Sequence, residues 1–177
     1  MLDRVAGLEG TTGRRGTERG YPDIEISGAA FGDGYHAVDV KVARLAKSGT
    51  RTQSRVTLYT GNTYFRYPKL QWPGTFRPFR DYASHLDIVA VYRFNTAARQ
   101  RVEGLELIAH ESWRIGSRQR SSTTREHLGG VRSLDDLRNG RGEFSSEQEF
   151  YDYWRRYPFR IGRAVQQQLD RLLANRA

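Results

Sequence analysis

At 177 residues the chain is long enough for one compact domain with its own core and short for two. Its lack of cysteine excludes disulfides, zinc–thiolate sites and cysteine nucleophiles, and no run of roughly 18 apolar residues is present to span a membrane. A net charge of +9, carried mostly by arginine, points to a polyanionic partner bound through counterion release, and 12% aromatic residues argue against disorder.

The first segment, residues 1–20 (MLDRVAGLEGTTGRRGTERG), has no apolar stretch suited to a secretory signal and reads as a flexible basic arm. The expected compartment is the reducing cytoplasm. Residues 21–26 (YPDIEI) alternate in character and read as a strand. SGAAFGDG is a turn, and residues 35–43 (YHAVDVKVA) form a second strand paired as a hairpin. On that strand His36, Val38, Val40 and Val42 share one face, and Ala37, Asp39, Lys41 and Ala43 the other. Residues 55–60 are a third strand candidate, 61–79 are irregular, and 79–86 suit a short helix. Residues 88–94, 104–109 and 113–115 read as strands, and 117–127 (SRQRSSTTREH) as a polar, basic loop. Ser133 can cap a helix over 134–139, Ser146 with Glu149 forms a capping box, and a last helix covers 161–175. Strands first and helices last predict an α+β fold with a mixed central sheet flanked by helices.

The chemistry concentrates in Pro22-Asp23 followed by Asp39-Val40-Lys41. Two carboxylates from neighbouring strands can share one Mg²⁺, a hard cation that takes oxygen ligands. Such an ion acidifies water and offsets charge in phosphodiester hydrolysis. Lys41 lies two residues from Asp39, on the same strand face, where an ammonium can orient the water and stabilise the developing anion. The triplet alone is weakly specific, since a hairpin start and a solvated strand face give the same letters. Glu25, at i+2 from Asp23, is a runner-up ligand. The four histidines lack metal-ligand spacing and read as structural or surface residues, His127 being the exception because it borders the polar loop. Phe150, Tyr151, Tyr153 and Trp154 read as core.

At these residues the sequence resembles the PD-(D/E)xK nucleases, and within them the type II restriction endonucleases of the EcoRV kind. The resemblance covers roughly residues 17–158. YPD is followed after fifteen residues by DVK. RPFRDYASHLDIVAVYRF and GLELIAHESWRIGS keep the family's order, and NGRGEFSSEQEFYDYWRRYP is similar to its C-terminal G-K-G-x-F-x-S-E-x-E-F-x-x-Y-W-R-x-Y. The long C-terminal match is far more specific than the triplet.

The resemblance implies a restriction-endonuclease-like fold and a Mg²⁺-dependent homodimer (Mn²⁺ substituting) that embraces and cuts double-stranded DNA, with no organic cofactor and no membrane. It makes Asp23 and Asp39 the metal ligands and Lys41 the third catalytic residue. It also implies DNA contacts from two loops. One holds Thr17, Glu18, Arg19 and Gly20; the other holds Ser121, Ser122, Thr123, Thr124 and Arg125 and borders His127. Thr63 corresponds to a phosphate-contacting hydroxyl. The family carries a longer segment before its PD motif, with a dimerisation element and an accessory glutamate. Here 22 residues precede Asp23, and Glu9 is the nearest substitute.

The expected layout is a single nuclease domain over 1–177. It comprises a basic arm or loop (1–20), a catalytic sheet (21–115), a DNA-recognition loop region (116–131) and C-terminal helices (132–177). A structure-specific repair nickase of the same fold and an inactive DNA-binding remnant are the alternatives.

Overall fold

Alternating strands followed by capped helices build two sheets and a helical flank in the computed structural model, which describes residues 5, 7–17 and 20–175. Five strands, β1 (Thr11–Arg15), β2 (Ile24–Gly28), β3 (Gly32–Arg44), β5 (Ser84–Phe94) and β6 (Val102–Glu111), form one sheet in the order β1-β2-β3-β5-β6. β3 and β5 run parallel and the other neighbours antiparallel, so this sheet is mixed, as expected. The second sheet, in the order β4-β8-β7, joins β4 (Thr57–Thr60), β7 (Gly116–Arg120) and β8 (His127–Gly130). Helices α1 (Leu134–Asn139), α2 (Glu147–Arg156) and α3 (Arg163–Ala174) close the chain. Among the described residues, no helix is long and apolar enough to cross a membrane.

β3 alternates as its sequence predicts, but the covered face is the one that carries the charges. Asp39 is 6% exposed beside buried Ala37 and Ala43, whereas Val40 and Val42 on the opposite face are 44% and 70% exposed. The reason is an aromatic layer. Tyr21, Tyr59, Phe65, Phe79, Phe150 and Trp154 belong to one buried cluster together with Ala37, Ala43 and the β5 residues Val89 and Val91. The outer face is covered at one end, where Val5 packs with Ile26 and Val38, and it continues into exposed Leu105 and Leu107 of β6.

Several elements differ from their sequence reading. The expected N-terminal arm contains β1, which pairs residue for residue with β2 from Thr11↔Gly28 to Arg15↔Ile24. An edge strand needs backbone partners more than apolar side chains, so TTGRR gives no periodic signal. The helix expected over 79–86 is a single 3-10 turn, Phe79–Asp81, after which β5 begins. Residues 113–115 lie in another 3-10 turn and not in a strand. Gly61–Phe65, read as irregular, is π-helical. The loop expected over 117–127 is β7 up to Arg120 and β8 from His127, with residues 121–126 irregular between them.

The helix caps are as read. Ser133 Oγ accepts from Asp136 N, and Ser146 Oγ accepts from Glu149 N, both at 3.2 Å. The Glu149 carboxylate reaches back to Ser145 N at 2.8 Å, one residue earlier than a capping box specifies. Gly140 ends α1 at φ 60°, a left-handed C-cap suited to glycine. Phe150 and Trp154 of α2 are 1% and 0% exposed, the core role their helical spacing predicts.

Candidate active site

Asp23 lies just before β2, and Asp39 and Lys41 lie midway along β3, the central strand of the five. The Val40 amide donates to Asp23 Oδ2 at 2.7 Å, which ties the segment before β2 to the middle of β3. Lys41 Nζ donates to Asp39 Oδ2, and the Asp23 carboxyl is near enough to Asp39 to affect its ionisation. The Asp39 pKa is pushed up to about 7. Burial is the main cause; the Lys41 ammonium opposes it, and the neighbouring Asp23 adds to it.

These residues form the floor of a cleft of about 430 Å³. Its walls are Gly20, Tyr21 and Tyr64 on one side and Thr57, Tyr59 and Thr60 of β4 on another, and Arg125 and His127 reach it from the β7–β8 turn. The two loops singled out in the sequence therefore approach one cleft in part. Gly20 is needed where it stands, because a methyl group there would collide with the Gly74 carbonyl oxygen. Thr17 accepts from Gly20 N through its carbonyl at 3.1 Å and is exposed, and Glu18 and Arg19 lie outside the described residues.

The second loop is a built turn. Ser122 Oγ accepts from Thr124 N at 3.2 Å and Arg125 N at 3.3 Å, while Thr57 Oγ1 donates to Ser121 Oγ at 3.1 Å. Thr123, Thr124 and Arg125 are exposed. Below the tip, Glu126 pairs with Arg120 at 2.7 Å and accepts from Arg160 N at 3.0 Å, anchoring the turn to the chain before α3. His127 is half-buried, and burial, Arg125 and Lys41 hold its pKa below the usual imidazole value.

Other candidates fall elsewhere. Thr63 is buried in the π-helical turn and donates to Thr60 O at 3.3 Å, so Thr60 and not Thr63 lines the cleft. Glu25 is 2% exposed and locked by Arg77 at 2.7 and 3.0 Å, with Arg14 at 3.7 Å. It serves a buried ion pair and is not free to face a metal. Glu9 is exposed and is not part of the cleft lining. His85 is buried and bonded to Tyr21 OH at 2.6 Å, consistent with a structural histidine.

One residue was missed in the sequence. Asp87 on β5 stands directly across from Asp39 in the parallel register and is fully buried. A lone acid inside the apolar run HLDIVAVY was the available signal.

Among the described residues, no group of three or more His, Cys, Asp or Glu is arranged to hold a metal by protein atoms alone. The Asp23–Asp39 pair still fits magnesium. That ion commonly binds through one or two carboxylates, with water and substrate phosphate completing its octahedron.

Fold and cleft together define an α+β protein with a paired-carboxylate and lysine floor beneath an arginine-bearing turn. The family model of the restriction endonuclease EcoRV matches residues 1–174, and the chain belongs to that endonuclease family. Its fold is accordingly restriction-endonuclease-like, its class is nuclease, and DNA is the substrate that membership implies. Nucleases of the EcoRV type are generally divalent-metal dependent. No curated protein matches the chain.

Proposed function

We propose that this chain is a type II restriction endonuclease that cuts double-stranded DNA at a short specific site with Mg²⁺, Mn²⁺ substituting, as a cytoplasmic homodimer. The observation that carries the proposal is that Asp23, held by the Val40 amide, and the Asp39–Lys41 pair line one cleft together with Arg125 and His127. Asp23 and Asp39 are the metal ligands. Bound there, the ion supplies a lowered water pKa and offsets charge on the reacting phosphate. Asp39 gives up its proton before it can serve. Lys41 then donates hydrogen bonds toward the attacking water and the phosphate oxygens, an oriented positive charge where negative charge grows.

Sequence discrimination belongs to the turn at Ser121, Ser122, Thr123, Thr124 and Arg125, whose hydroxyls and guanidinium suit base edges. Thr17, Glu18, Arg19 and Gly20 supply the second set of DNA contacts in this reading. Among the described residues one chain carries one such cluster, so cutting both strands at a symmetric site takes two chains. Asp39→Ala is expected to abolish cleavage in magnesium while duplex binding in calcium persists. Plasmid cleavage and a fluorescence-anisotropy titration read both. Normal cutting by the variant would overturn the assignment.

A further inference from the structure

Asp87 poses a physical problem. It is 0% exposed, and among the described residues neither of its carboxylate oxygens has a hydrogen-bond partner. The neighbouring Ser112 hydroxyl donates to His85 O at 3.2 Å and bonds to the Tyr59 hydroxyl, and its nearness to Asp87 offsets only part of the rise that burial imposes. An unpaired carboxylate in an apolar interior is costly, so a compensating charge is needed nearby. The parallel register supplies one. Asp87 is the cross-strand partner of Asp39, and Lys41, paired with Val89 one pleat further on, projects from the same face. The Lys41 charge stabilises the Asp87 carboxylate, offsetting part of the rise that burial imposes.

Lys41 therefore pairs with Asp39 and shares a sheet face with a second carboxylate, Asp87, on the neighbouring strand. Its ammonium is bonded to Asp39. When Asp39 turns its oxygens to a cation, that bond is weakened and the lysine needs a second anchor. We infer that Asp87 is a positioning residue, the buried anion that keeps the Lys41 ammonium aimed at the cleft once Asp39 is occupied by a divalent ion. This rests on the proposed role of Lys41. Asp87 is set beneath the cleft and does not line it, so it acts through the lysine and does not touch substrate.

The test is a double-mutant cycle of Asp87→Asn and Lys41→Met, read by single-turnover cleavage, with calcium-supported DNA binding, Mn²⁺ affinity and thermal midpoint alongside. Asp87→Asn keeps the shape and removes the charge. It should slow cleavage at least tenfold with DNA and Mn²⁺ affinities within twofold of wild type. Its thermal midpoint should be equal or higher, whereas loss of a structural support would lower it. In the Lys41→Met background it should add less than twofold, because both changes remove one interaction. Cleavage by Asp87→Asn within twofold of wild type, full additivity in the cycle, or a matching loss of Mn²⁺ affinity would overturn the inference. If Asp87→Asn does not fold, Asp87→Ser enters the same cycle. As a readout free of activity, crystal structures with calcium should show the Lys41 side chain displaced in the Asp87 variant; an unmoved lysine counts against it. Unimpaired cleavage by Lys41→Met alone would instead overturn the parent proposal.

Discussion

Asp39 concentrates the chemistry of the cleft, and its environment makes pH a direct probe. Its folded pKa of about 7 lies well above the ordinary aspartate value, so a bound cation must displace a proton. Metal affinity should therefore fall by about tenfold per pH unit below 7 and level off above it. Calorimetric Mn²⁺ titrations between pH 5.5 and 8.5 measure this, with proton release confirmed in buffers of different ionisation heat. Stability carries the opposite sign. A raised folded pKa favours folding fully below the unfolded value near 4, and that contribution is lost as pH rises toward 7. Metal-free Asp39→Asn should thus gain thermal midpoint over wild type at pH 8 and little at pH 4, readable by calorimetry. His85, buried and with its pKa lowered to about 3, imposes an acid-side loss on both proteins that cancels in the comparison.

Much at this scale was legible because strand periodicity is local. The i, i+2 spacing of Asp39 and Lys41 dictates one strand face whatever the fold. Asp87 was not legible as a partner, because its meaning depends on which strand lies beside β3, and β5 is reached only after 39 intervening residues.

Among the elements, the helices were the most readable. Ser133 and Ser146 sit where a hydroxyl satisfies otherwise unpaired amides at a helix start. Ser146→Ala should lower stability by ~1 kcal/mol, checked by urea unfolding. Trp154→Ala, which empties a fully buried site in α2, should cost about 3–5 kcal/mol. The polar strands were the least readable. β1 and β7 lack apolar alternation, and their existence depends on backbone partners from β2 and β8. The β7–β8 hairpin shortens the loop expected over 117–127 to a braced turn over 121–126. Arg125 at that tip should behave as a reader of base edges. Arg125→Ala should reduce discrimination at one base pair by ~1–3 kcal/mol, while the salt slope of binding falls by no more than about one phosphate contact. Binding titrations on single-base-pair variants at several salt concentrations separate these effects.

For the whole molecule, charge and architecture agree with a duplex-DNA enzyme. The excess of positive charge suits a phosphate-lined partner, and the mixed sheet presents the Asp39 strand at its centre with the aromatic layer behind. That the covered face of β3 is the charged one could not be read from β3 alone. Val38, Val40 and Val42 share the other face, and the aromatic side chains gathered from distant segments decide that Asp39 is covered while Val40 and Val42 stay exposed. The family match over residues 1–174 makes endonuclease the class, and specificity and metal dependence are the claims to test. The direct measurement is sequencing of DNA ends after digestion of a random plasmid library in magnesium, with EDTA and Asp39→Ala controls. Ends confined to one short symmetric motif, absent from both controls, are predicted. Nicks or ends scattered without a motif, or the same ends produced by Asp39→Ala, would contradict a site-specific endonuclease built on this carboxylate pair.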